Sequence, residues 1–152
     1  MEIGLLTARI IHVLTGVFWV GAMAFVSAFL IPSLAEAGPD AGKVMAALQR
    51  RKFMIVMPVV GVLTMLSGIW LYWRASSGFQ VDYMKSGPGH AYAFGALFAI
   101  AAFIVGMTYT RPAMMKATEL GQAAANASEA DRPAIMAQVQ ALRVRGARGG
   151  RL

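Results

Sequence analysis

Two histidines are the residues through which this chain could do chemistry. His12 lies in a stretch between Arg9 and Glu36 that contains no Asp, Glu, Lys or Arg. An ionisable side chain in so apolar a setting is costly enough to mark a functional position. On a helix turning about 100° per residue, Gly16, Trp19, Met23 and Leu30 fall close to the His12 direction. That stripe offers an imidazole, a gap over Gly16 and large apolar side chains beyond, which suits a flat ring ligated by His12. The opposing reading is a histidine donating to a backbone carbonyl of a neighbouring helix. His90 follows Gly87 and Gly89 at the mouth of a third apolar stretch. Two imidazoles form an axial set for haem iron, and Arg9, Arg74 or Lys85 would suit its propionates. A metal ion held by His12 and His90 alone would need further ligands that the apolar stretches do not offer.

Other chemistries are excluded or weakly signalled. There is no cysteine, which removes disulfides, thiolate metal sites, iron–sulfur clusters and cysteine nucleophiles. No Asp or Glu interrupts the apolar stretches, so a carboxylate proton relay or ion-coupled carrier is not expected. Met54 and Met57 form an i, i+3 pair that could bind Cu(I), but among eleven methionines they read as core filler. Gly95, Ala99, Ala102 and Gly106, like Gly61, Thr64 and Gly68, make small-residue stripes of the kind that lets helices approach.

The elements that must position the histidines follow from composition. Of 152 residues, 58% are hydrophobic and 14% charged, with a mean hydropathy of +0.59. Soluble domains carry roughly a quarter charged residues, so the class is an all-α integral membrane helical bundle. Three spans are predicted at about 8–32, 53–73 and 90–110, each able to cross a ~30 Å hydrocarbon core at about 1.5 Å per residue. Pro58 should kink the second without breaking it. Arg111-Pro112 should end the third. A signal peptide competes for the first stretch, helped by Ala35-Glu36-Ala37, but the apolar run is long for one and its leading basic region poor. The net charge of +7 points to an anionic membrane surface and not to nucleic acid. Lys43, Arg50, Arg51 and Lys52 lie in the first loop, and seven further basic residues follow the third span. The opposite side has only Arg9, Arg74 and Lys85. Basic residues stay in the cytoplasm, so the N-terminus should be outside and the C-terminal extension inside. That placement puts His12 and His90 toward the outer leaflet, with Trp70, Tyr72, Trp73 and Tyr92, whose plainer role is an interfacial aromatic belt.

Residues 1–111 thus form a transmembrane helical domain and 112–152 a cytoplasmic helical extension. In the extension Ser128 fits an N-cap, Pro133 a first turn, and Ile135, Val139 and Leu142 recur at i, i+4 and i+7 of an amphipathic helix. Its tail, Arg143-Val144-Arg145-Gly146-Ala147-Arg148-Gly149-Gly150-Arg151-Leu152, could lie on anionic head groups or remain solvated.

Arg9-Ile10-Ile11-His12-Val13-Leu14-Thr15-Gly16-Val17-Phe18-Trp19-Val20-Gly21 resembles the opening helix of small membrane proteins related to HemJ, the haem-dependent protoporphyrinogen oxidases, and to CopD-like domains. Gln49-Arg50-Arg51-Lys52-Phe53, then Met57-Pro58 and Leu63-Thr64-Met65-Leu66-Ser67-Gly68-Ile69-Trp70-Leu71, is similar to the HemJ second helix. The likeness covers about the first half of the chain. It implies a four-helix bundle binding haem b, with His12 matching the first-helix haem histidine and the fourth helix missing from this sequence or supplied by a partner. The family's enzymes carry a lysine near the start of the third helix, where this chain reads His90-Ala91-Tyr92-Ala93-Phe94. The expected activity is redox or porphyrin-related, in a bacterial-type inner membrane, as a homo-oligomer or within a larger complex. Two rivals stand beside it: a non-catalytic accessory or assembly subunit, and a copper or small-solute transport component.

Overall fold

In an apolar medium backbone N–H and C=O groups must pair within their own segment, which makes the uncharged stretches helices. The computed structural model describes residues 3–38 and 41–149, and every described element is helical. In chain order these are α1 (Ile3–Phe25), α2 (Ile31–Glu36), α3 (Ala41–Arg50), α4 (Phe53–Ala75), α5 (Val81–Met84), α6 (Gly87–Val105), α7 (Arg111–Ala125) and α8 (Arg132–Gly149). Gly150, Arg151 and Leu152 of the basic tail lie outside the described residues.

Among the described residues three continuous helices are long and apolar enough to cross a membrane: Ile3–Glu36, Phe53–Ala75 and Gly87–Ala125. Pro58 lies inside α4 without interrupting it. Arg111-Pro112 does not end the third helix, contrary to the sequence expectation. The chain instead passes through a π-helical turn at Gly106–Thr110, with Arg111 N–H bonded to the Gly106 carbonyl, and continues as α7 with Pro112 in its first turn. The first helix does the same at Val26–Leu30, before Pro32. A proline lacks the N–H that would bond four residues back, and the wider i to i−5 turn absorbs that loss without a break.

The chain divides into two compact units. The first comprises Met1–Gly21 and Met57–Phe103, the second Ala22–Val56 and Ile104–Leu152. The basic first loop and the basic extension, which charge alone assigns to one side, therefore belong to one unit, and both histidines belong to the other.

In the first unit small residues set the approach of α1 to α4. A Cβ on Gly16 would sit 3.5 Å from the Thr64 methyl, in ordinary contact. Gly61 has no such room, since a Cβ there would stand 2.9 Å from the Phe103 ring and 3.2 Å from Trp19. Trp19, 8% exposed, meets Phe103 edge to face at 6.0 Å between centroids. The small residues of the third span behave differently, because a Cβ added to Gly95 or Gly106 would meet nothing within 4 Å.

In the second unit α7 and α8 form an antiparallel hairpin. Ala113, Ala117 and Ala124 give α7 a flat buried face, and Val139 of α8 is 1% exposed. Ile135 and Leu142, which flank Val139, are half-buried, so the apolar repeat of the extension is used within the protein. A Cβ on Gly146 would come within 2.9 Å of Met114 Sδ. At the hairpin's turn the Ser128 hydroxyl accepts from the Asp131 N–H at 3.2 Å, which caps the turn ahead of α8 and not the helix itself, since α8 begins at Arg132. Arg132 donates to the carbonyls of Ala124 and Ala127, closing the end of α7. The helix α3 also packs on α7, with its Ala41 and Met45 buried.

Gly61→Ala is expected to destabilise the folded protein by roughly 1–3 kcal/mol through overpacking against two aromatic rings. Gly95→Ala, which meets nothing, should leave stability unchanged, and reversible unfolding in detergent would separate the two.

Candidate functional site

The first unit holds its polar chemistry in one node where α1 crosses α4. His12 Nδ1 lies 2.9 Å from the Thr64 carbonyl oxygen and 3.2 Å from Ser67 Oγ. A carbonyl only accepts, so Nδ1 carries the proton. The Ser67 hydroxyl donates to the Leu63 carbonyl at 2.6 Å, leaving its oxygen as a second acceptor for the same Nδ1–H. Thr64, buried, holds its hydroxyl 2.9 Å from both Thr15 Oγ1 and the Val60 carbonyl. Thr15 in turn donates to the Ile11 carbonyl at 2.7 Å. Thr15 and Ser67 give their single protons to carbonyls of their own helices four residues back, which leaves the one proton of Thr64 to cross the seam to Thr15 Oγ1.

Gly68 completes the seat. A Cβ there would fall 2.7 Å from His12 Cε1 and 3.2 Å from Nδ1, so the imidazole edge lies directly on the α4 backbone. In the neutral ring with Nδ1 protonated, Nε2 carries the lone pair. Nε2 makes no hydrogen bond among the described residues and is not fully covered. A ring anchored through one nitrogen to a backbone carbonyl, with the other nitrogen open, has the orientation of a metal-ligating histidine.

The other residues singled out from sequence are placed as follows. Gly16 and Trp19 take part in the α1–α4 packing, Gly16 against Thr64 and Trp19 against Gly61 and Phe103. The space above Gly16 is therefore filled by α4 itself. Arg9, one turn before His12, is exposed. Arg74 lies with its guanidinium 6.0 Å from the Trp70 ring centre. His90 is exposed in the first turn of α6 and is not a member of the His12 node. Its position is fixed by a built turn. Ser86 caps α6 by accepting from the Gly89 N–H, Tyr72 donates to the Gly89 carbonyl at 3.3 Å, and the backbone of Tyr83 presses so close that only glycine fits at 89. The Tyr72 ring also meets those of Phe79 and Tyr83, so it serves this turn. Among the described residues no three His, Cys, Asp or Glu gather where they could hold a metal ion.

Sequence pattern alone does not single out Thr15 or Ser67. A signal was present: Thr15 stands three residues after His12, and Thr64, Ser67 and Gly68 fall on one face of α4. Comparison with protein families, with curated proteins and with solved structures returns no match.

A double-mutant cycle on Thr15→Val and Thr64→Val, read by unfolding in detergent, is expected to give a coupling of about 0.6 kcal/mol, the usual worth of an interhelical hydrogen bond in a membrane. Purely additive losses would mean that the hydroxyls do not meet.

Proposed function

We propose that this chain is an integral membrane haem protein that takes a b-type haem through His12 and has a redox or porphyrin-related role. The observation that supports it is the His12 geometry, with Nδ1 tethered to the Thr64 carbonyl and Nε2 left open. The donor set fits the group in that respect: a carbonyl accepting from Nδ1–H fixes the orientation of the ring and leaves Nε2 as the ligating nitrogen. Because Thr64 occupies the space over Gly16, Gly16 would not be the floor of the site, and the residue that would hold the group is His12. Arg9 is the nearest exposed cation along α1 for a propionate, Arg74 the counterpart at the end of α4, and His90 a pocket residue or second ligand. Haem, when bound, supplies one-electron chemistry. What the chain contributes is a fixed imidazole, a glycine floor at Gly68 and an apolar surround.

The likeness of residues 9–21 and 49–71 to the HemJ and CopD-like pattern supports the same assignment. The membrane is a bacterial-type inner membrane, with the N-terminus outside and the extension in the cytoplasm. The grouping of the basic first loop with the basic extension in one unit supports that sidedness.

One observation favours a second reading, that of an accessory subunit in a larger membrane complex. The most apolar stretch of Gly87–Ala125 buries none of its residues inside the protein, and Phe98 is 71% exposed. A partner chain or a second copy would cover that surface.

The oxidised and reduced absorption spectra of protein purified with haem supplementation test the proposal. A Soret band is expected in the wild type, absent in His12→Ala and weakened in Gly68→Ala, which displaces the ring, while His90→Ala retains it. No Soret band in the wild type, with stable co-purification of other chains that His12→Ala does not disturb, would establish the accessory reading instead.

A further inference from the structure

The α7–α8 hairpin creates a feature that the haem reading does not use. Because α8 runs back along α7, its basic C-terminal half returns to the polar end of the third apolar stretch. Arg145 there stands over the ring of Tyr109, at 5.0 Å from guanidinium carbon to ring centre. Tyr109 and Arg145 also line a groove of about 660 Å³, completed by Gln140, Val144, Arg148 and two alanines of α8. These α8 positions form one helical face, set roughly opposite the Ile135, Val139 and Gly146 face that packs on α7.

The wall contains two arginines, an amide, a phenol and short apolar side chains, and no acidic residue. Its depth is set by Tyr109, which lies in the last turn before Arg111. We propose that the groove seats the head group of an anionic phospholipid. The phosphodiester accepts from Arg145 and Arg148, Gln140 adds a neutral donor, and the glycerol and first methylenes rest on Tyr109 and Val144. Charge, position at the end of a span and the mixed polar and apolar wall select a lipid over a soluble anion.

The test is native mass spectrometry of the full chain in detergent, titrated with short-chain phosphatidylglycerol or phosphatidylcholine, with far-ultraviolet circular dichroism to establish that each variant is folded. Phosphatidylglycerol should bind the wild type more tightly than phosphatidylcholine. Each arginine near a charged surface is worth roughly fivefold, so Arg145→Gln with Arg148→Gln should weaken phosphatidylglycerol about 25-fold. Arg145→Lys with Arg148→Lys should restore most of that binding, and Arg50→Gln with Arg51→Gln, outside the groove, should change it less than about twofold. An equal loss in the Arg50 and Arg51 variant would reduce the effect to diffuse surface charge and overturn the proposal. Displacement of the lipid by millimolar inorganic phosphate would overturn it as well, by making the site one for a free anion.

Discussion

A polar group inside an apolar medium must find its partner within the protein, and at His12 that requirement decides how the first unit is built. The Thr64 carbonyl answers it, although carbonyls in the middle of a helix ordinarily serve only their own N–H groups. Reaching that carbonyl needs the imidazole to lie on the α4 backbone, which needs Gly68. The same close approach needs Gly16 beside Thr64 and Gly61 beneath Trp19 and Phe103. The small-residue stripe, the hydroxyl pair and the aromatic layer are thus consequences of one short hydrogen bond between helices.

That bond also gives the site its direction. Had Nε2 made the contact, the ring would be a structural link with its other nitrogen turned toward its own helix. With Nδ1 engaged, the ring both joins two helices and presents a lone pair outward. The interhelical donor and the ligand, alternatives at the level of sequence, are therefore compatible uses of the two nitrogens of one side chain.

Much of this was legible in the sequence. Three uncharged stretches correspond to three long helices, because the length of an apolar run leaves little choice in a membrane. Ser128 likewise marks a capped turn, and the Ile135, Val139 and Leu142 repeat marks the side of α8 that packs. Less visible was what that side meets. Periodicity identifies an apolar side but not its partner, and the partner is the alanine face of α7, whose residues carry no strong signal of their own. The continuation past Pro112 was also hidden, because proline reads as a stop unless a π-helical turn lies ahead of it. Thr15 and Ser67 read as ordinary hydroxyls in the sequence, since their value depends on the rotation of α1 against α4, which no single-helix pattern contains.

The central claim is that His12 is held through Nδ1 with Nε2 open for a ligand, and ¹⁵N nuclear magnetic resonance of the histidine side chains reads this directly in haem-free protein. A protonated Nδ1 and an unprotonated Nε2 are expected for His12, with the Nε2 signal alone shifted or broadened when ferric haem is added. A His12 protonated at Nε2, or a spectrum that haem leaves unchanged, would contradict it.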